Sequence, residues 1–264
     1  MRRSGTRWKG SRAAEVALGE PISSLYDQMQ KWQEQPLESL LTPSSVVLTA
    51  NPQQMHIFNR ACFGRPILAA TAGTSSSASL EMQFLELGLE EAFFLTSELK
   101  CICIYQQQTS EGCAILSEEE VWRSMKNSKP QFVHLYKAYA HLRSKHWVVR
   151  AGLQFGADFM AYRHHPALVH SDYAVVVMWE MQEQRLHTWA EMQAMSRLCG
   201  SVAKTLLLLH IIPNRETVDD SSPLCIHDFS VKVMEVRRWF PEKNREEHCQ
   251  GTSEASRGEQ KTKV

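Results

Sequence analysis

Apolar and polar positions divide the chain into short periodic stretches. SSVVLTA, residues 44–50, is rich in β-branched residues and predicts a strand. Asn51 then offers an N-cap, and Pro52 a first helical position, for NPQQMHIFNRAC, a helix that Gly64 and Pro66 bring to an end. A short strand at Phe84 to Leu87, a helix over Leu89 to Leu99 and a strand from Cys101 to Tyr105 follow. In that last strand, KCICIY, Cys101 and Cys103 share one face and read as small core residues. Ser117 and Glu120 are spaced as a capping box opening a helix that ends near Lys126. The alternation over 44–127 predicts a small mixed α/β domain.

Lys129-Pro130 marks a boundary. Beyond it, Phe132, Leu135, Tyr136, Tyr139 and Leu142 recur at helical spacing, giving an amphipathic helix with one apolar face. Three strands are predicted next: HWVVRAG (146–152), DFMAYR (158–163) and YAVVVMWE (173–180). A helix near 188–201, the strand TLLLLHII (205–212), a polar insertion over 213–227 and a last strand VKVMEVRRW (231–239) complete the pattern. The fold class is therefore α/β (α+β), with a second mixed-sheet domain over 130–241. Residues 1–43 read as an extension, partly mobile, with an amphipathic piece near 22–32 and breaks at Pro36 and Pro43. TAGTSSSAS (71–79) reads as a linker or hairpin tip, and 242–264 as a disordered tail.

Composition narrows the function classes. No apolar run approaches the roughly 18 to 20 residues of a membrane span. Acids and bases balance at 29 each, so overall charge gives no argument for a nucleic-acid partner. Placement says more, because MRRSGTRWKGSR opens the chain with five cations and no acid. That start can contact a phosphate backbone, act as a nuclear address or be a plain solvated terminus expected to be mobile. It is not a secretory signal, since no apolar core follows it. The seven cysteines include no CxxC pair, which points to a reduced, intracellular chain without a zinc site.

The stretch AYRHHPALVHSDYAVVV (161–177) crowds titratable groups against the mouth of an apolar strand. RNA cleavage without a metal needs a group to take or orient the 2′-hydroxyl proton, an acid for the leaving 5′-oxygen, and a cation for the charge on the phosphorane. Tyr or His suits the first, His the second, and Lys or Arg the third. Tyr162 near one strand end, His170 at the next strand's start and Lys204 just before TLLLLHII supply that set, provided the strand ends meet at one sheet edge. Each residue also has an ordinary reading: an amphipathic core tyrosine, a capping histidine, a solvated lysine.

From about Phe132 to Arg238, and more loosely from Ser44, the chain resembles the tRNA-splicing endonuclease family. The carrying motifs are LYKAYAHLRSKHWVVRAGLQFGADFMAYR, HPALVHSDYAVVV and RLCGSVAKTLLLLH, with ACFGRPILAA and LGLEEAFFLTSELKCI resembling its amino-terminal domain. The resemblance is to the catalytic subunits that cut the 5′ splice site, in their plant form. It implies a catalytic sheet of restriction-endonuclease-like type and cleavage to a 2′,3′-cyclic phosphate and a 5′-hydroxyl without metal or cofactor. Tyr162 would be the general base or 2′-hydroxyl positioner, His170 the general acid and Lys204 the cation facing the transition state. Arg197 and Trp239 would sandwich a flipped intron base at a partner subunit's site. The resemblance further implies the nucleus, pre-tRNA as substrate, and a complex with other subunits, a heterotetramer, to whose assembly the apolar terminal strand would contribute edge pairing. His164 and His165 fill a turn where relatives often carry other residues; they read as a surface turn, or as phosphate contacts. The acids of 213–227 argue against RNA contact there. Two rivals stand beside this reading: a metal-dependent nuclease, which would need clustered carboxylates, and a non-catalytic RNA-binding subunit.

Overall fold

The computed structural model describes residues 6–67, 82–108, 112–179, 186 and 188–237. In chain order the helices and strands are α1 (Ala13–Gly19), α2 (Ile22–Gln30), β1 (Leu37–Leu41), β2 (Val46–Ala50), α3 (Pro52–Ala61), β3 (Arg65–Ile67), β4 (Gln83–Leu87), α4 (Leu89–Ser97), β5 (Ile102–Gln108), β6 (Gly112–Ile115) and α5 (Glu118–Ser128). They continue as α6 (Phe132–Arg143), β7 (Val148–Ala151), β8 (Phe159–Tyr162), β9 (Tyr173–Trp179), α7 (Trp189–Ser201), β10 (Thr205–Pro213) and β11 (Phe229–Val236).

Two mixed sheets result. The first runs β3-β4-β2-β1-β5-β6, antiparallel except where β1 lies parallel to β5. The second runs β11-β10-β9-β8-β7, antiparallel except for the parallel β9–β10 pair, which α7 joins by a crossover. The mixed α/β class expected from the sequence is what the chain forms.

Local signals fix the helix starts. Asn51 accepts from the Gln54 amide at 2.9 Å while the Gln54 side chain accepts from the Asn51 amide at 3.0 Å, and Ser117 and Glu120 make the equivalent box for α5. Strand β1 was not expected, because Pro36 and Pro43 frame it as a loop. It forms since Leu37 and Ser39 point into the core and Ser39 donates to the Cys103 carbonyl at 2.8 Å. The facing of β5 also differs from the expectation: Ile102 and Ile104 fill the core, Cys103 lies half-buried on the opposite face, and Cys101 is buried just before the strand. The larger aliphatic chains take the face of the sheet on which α4 packs.

Helix α6 differs too. Instead of one apolar face it buries Phe132, Val133, Leu135, Tyr136, Ala138, Tyr139, Leu142 and Arg143, because α4 packs on one side and the second sheet on the other. The aromatic cluster around it, Phe93, Trp122, Phe132 and Tyr136, packs at centroid separations of 4.8 to 6.1 Å, edge-on or tilted except for the stacked Phe132–Tyr136 pair. Strand β10 is covered on both faces: Leu207 and Leu209 join the large core, while Leu206 and Leu208 meet Met195 and Cys199 of α7. Its unbroken apolar run follows from that.

The 213–227 insertion packs back on α5 and α6. Trp122 Nε1 donates to the Asp220 carbonyl at 3.0 Å, Lys126 pairs with the Asp220 carboxylate, and Lys137 donates to the Ile226 carbonyl at 2.6 Å. The expected segments 71–79 and 242–264 lie outside the described residues.

Candidate active site

The site follows from strand register. β8 and β9 run antiparallel with Ala161 opposite Tyr173, so Tyr162, the last residue of β8, stands at the start of β9. β10 runs parallel to β9 with Thr205 beside Tyr173, so Lys204 reaches that same edge. Two backbone bonds tie the corner: the Asp172 amide donates to the Ala161 carbonyl at 3.0 Å, and the Thr205 amide to the Asp172 carbonyl at 2.9 Å. Three strand ends remote in sequence therefore bring Tyr162, His170 and Lys204 to one edge of the sheet.

The structure brings two of the three into one electrostatic field. His170 is exposed, and its pKa is lowered by desolvation and by the positive charges of Lys9, Arg7 and Lys204. Lys204 is half-buried, its ammonium 5.5 Å from the Phe155 ring centroid. Burial lowers its pKa and Arg7 and Lys9 lower it further, while Cys199 and Asp172 oppose them. Its backbone is set by the end of α7, where Ala203 takes a left-handed φ of 53° and the Lys204 amide donates to the Cys199 carbonyl at 2.8 Å. Asp172, near the lysine, is held at 2.8 Å by Arg163, whose guanidinium lies 4.6 Å over the Trp147 ring.

Tyr162 sits at the same edge but its surroundings differ. Burial raises its pKa, while Ser171 and Arg150 oppose the rise and Cys62 adds to it. It lines a cleft of about 860 Å³ between the two halves of the chain, together with Arg65, Arg150 and His165. The phenol is protonated at neutral pH and faces a cavity able to admit a sugar-phosphate segment.

Phe155 owes its place to Gly152. A Cβ there would lie 2.9 Å from both the Ala157 carbonyl oxygen and the Phe159 carbonyl carbon. The Gly152 amide donates to the Asp158 carbonyl at 3.0 Å, its carbonyl accepts from Ala157 at 3.2 Å, and Gly156 closes the turn at a φ of 67°. Gly152→Ala is expected to cost about 1 to 3 kcal/mol, the usual range for overpacking, and to slow turnover by displacing the ring beside Lys204. A thermal melt of the variant within 1 °C of wild type would contradict this.

The remaining candidate residues are placed as follows. His164 is not on a surface turn: it is 5% exposed and its Nε2 donates to the Glu20 carbonyl at 2.8 Å, because α2 and its flanks pack over the turn. His165 is half-buried, accepts from the Ala167 amide at 3.1 Å, and has its pKa lowered by burial and by His164 and Arg150. Arg197 is exposed on α7, with its Nε donating to the Gln193 carbonyl at 3.4 Å, and the structure does not bring it against the three strand ends. Trp239 lies outside the described residues. Among the described residues no group of three or more His, Cys, Asp or Glu is placed to hold a metal ion.

Arg7 and Lys9, Phe155, Asp172 and Arg150 were not singled out from the sequence. Only the basic opening run carried a signal for the first two. The others required the register of β8, β9 and β10.

Two segments of the chain match the two domain models of one nuclease family. Residues 132–219 match the model of the tRNA intron endonuclease catalytic C-terminal domain, and residues 37–122 match its N-terminal domain. The chain is 40% identical to the tRNA-splicing endonuclease subunit Sen2-1 of Arabidopsis thaliana over 245 residues, which is 91% of this chain and 97% of that protein. It is 39% identical to the probable tRNA-splicing endonuclease subunit Sen2 of rice over 258 residues, 93% of this chain and 84% of the relative. With the mouse Sen2 subunit it shares 33% over 170 residues, 62% of this chain and 36% of that one. The chain belongs to the tRNA-splicing endonuclease family, as a Sen2-type endonuclease subunit of the splicing complex.

Proposed function

We propose that this subunit cuts pre-tRNA at the 5′ splice site by a metal-independent attack of the 2′-hydroxyl, leaving a 2′,3′-cyclic phosphate and a 5′-hydroxyl. The observation that carries this reading is the meeting of Tyr162, His170 and Lys204 at one sheet edge through the β8–β9–β10 register. Tyr162, held neutral by burial, orients the 2′-hydroxyl by accepting its hydrogen bond instead of acting as a standing phenolate, and the proton of that hydroxyl passes to solvent as the 2′-oxygen attacks. The phosphorus–oxygen bond to the 2′-oxygen forms as the bond to the 5′-oxygen breaks. His170 delivers its proton to that departing oxygen, and Lys204 offsets the added negative charge on the phosphorane oxygens. No step requires a cofactor.

The active form is a nuclear, plant-type heterotetramer in which β11, an edge strand of the second sheet, pairs with a partner subunit. Arg197, exposed on α7, and Trp239 bind a base of the intron bulge at the partner's catalytic centre. The reconstituted complex, given intron-containing pre-tRNA in EDTA, is expected to release a 5′ exon with a phosphatase-resistant cyclic end. Cleavage that stops in EDTA and returns with Mg²⁺ would transfer the reading to a metal-dependent nuclease.

The pH profile gives an independent check. An acid catalyst must be protonated, so kcat/KM falls as pH rises through the free-enzyme pKa of His170. Desolvation and then three nearby cations, Lys9, Arg7 and Lys204, disfavour the imidazolium and hold that pKa below the ordinary value. Bound phosphates offset those cations, so the corresponding limb in kcat is expected at higher pH than in kcat/KM. Coincident limbs, or a kcat limb at lower pH, would count against His170 as the proton donor.

A further inference from the structure

The amino-terminal segment, expected to be a mobile solvated end, is instead paired with the loop that carries His170. Trp8 forms an antiparallel bridge with Val169. The Lys9 amide donates to the Leu168 carbonyl at 2.9 Å, and the His170 amide donates to the Arg7 carbonyl at 3.1 Å. Arg7 also reaches Ser171, its Nη2 donating to that carbonyl at 3.4 Å. In an extended segment residues two apart share a face, so Arg7 and Lys9 stand on the side opposite Trp8. Both are exposed while Trp8 is half-buried.

We propose that Arg7 and Lys9 bind RNA phosphates flanking the scissile bond, so that the chain's own amino-terminal segment adds a cationic shoulder to the catalytic edge. The proposal rests on the nuclease reading given above. Four groups that are or can become cationic, Arg7, Lys9, Lys204 and His170, lie close enough to act on one another's charge. The acid at that corner, Asp172, is already paired with Arg163. Among the described residues neither Arg7 nor Lys9 forms an ion pair. A chain with equal numbers of acids and bases has thus concentrated unpaired positive charge at one sheet edge, and self-repulsion there is relieved when a polyanion arrives. A single-stranded phosphate backbone crossing the edge toward Tyr162 meets that requirement.

The bridge uses only backbone groups, so the side chains can be changed without undoing it. The test employs the assembled endonuclease with its partner subunits, and an intron-containing pre-tRNA carrying 2′-deoxy nucleotides at both cut sites for binding. Arg7→Gln combined with Lys9→Gln is expected to weaken binding and raise KM about tenfold, with kcat within about twofold. The slope of log Kd against log salt should become shallower by about 0.7 to 0.9 for each cation removed. Arg7→Lys with Lys9→Arg should restore both, and a melting temperature matching wild type would exclude a folding defect. Unchanged Kd and salt slope would overturn the proposal, as would tighter binding or faster turnover, which would mark the segment as a strap over the site. The binding arm needs no cleavage, so its outcome is separate from that of the nuclease reading, which His170→Ala tests.

Discussion

Replacing His170 with alanine is expected to remove one of the two cuts made in an intron-containing pre-tRNA, with the other retained. The assay uses substrate labelled at both ends, the reconstituted complex and EDTA throughout. The lost cut should be the 5′ one, slowed by about 10² to 10⁴, the range for losing a positioned general acid. His170 is exposed and its side chain serves no packing role, so the variant should fold and bind substrate normally. Loss of the 3′ cut alone would keep the chemistry and reverse the assignment of splice site. Persistence of both cuts would make the chain a non-catalytic RNA-binding subunit, whatever the strand ends look like. Lys204→Ala is expected to act in the same direction, because the sheet itself positions the lysine where its charge acts on His170.

The largest stability effect is expected at Arg143. This arginine is fully buried, and its guanidinium donates to the Tyr139 hydroxyl at 2.8 Å, the Ala61 carbonyl at 3.0 Å and the Cys62 carbonyl at 2.8 Å. It also lies 4.0 Å over the Phe63 ring. The two carbonyls belong to the C-terminal end of α3, where Cys62 turns out of the helix at a φ of 57° and the peptide dipoles present partial negative charge. Burial opposes the charge on Arg143, but Tyr139, Tyr26 and Glu91 outweigh it and raise the guanidinium pKa. The side chain therefore bolts the first half of the chain to α6. Arg143→Met leaves two buried carbonyls and a hydroxyl without their donor and is expected to cost about 3 to 5 kcal/mol. For a chain of this size that is a fall in melting temperature on the order of 10 °C. Arg143→Lys should recover only part, since one ammonium cannot span the three acceptors. Urea unfolding of the two variants checks this, and a loss below about 1 kcal/mol for the methionine would show that the bolt is dispensable.

Arg143 also shows how a motif can mislead about role. Tyr139, Leu142 and Arg143 form part of the pattern that links this chain to its family, yet in the structure Leu142 and Arg143 serve packing between the two halves, while Tyr139 packs there and also lines the cleft that Tyr162 faces. Trp122 and Asp220 work in the same way. Asp220 of the 213–227 insertion meets Trp122 and Lys126 of α5, which could not be read from a polar loop composition.

What the sequence by itself determined was local. The caps at Asn51 and Ser117, the helix periodicity after Phe132 and the β-branched runs of β2, β9 and β10 depend on neighbours within a few residues, so they were legible without a fold. Strand β1 was hidden because its pairing with β5 and β2 outweighs the prolines around it. The facing of Cys103 was hidden because period two does not say which face of the sheet a helix will cover. The residue types of the proposed cleavage site were visible as Tyr162, His170 and Lys204. Their convergence was decided only by the tertiary structure, through the antiparallel β8–β9 and parallel β9–β10 registers. The placement of Arg7 and Lys9 beside His170, more than 150 residues away in the chain, was likewise decided by backbone pairing of Trp8 with Val169. Such contacts are set by hydrogen bonds between segments whose sequence separation leaves no periodic trace, and their energies depend on the whole sheet being in place.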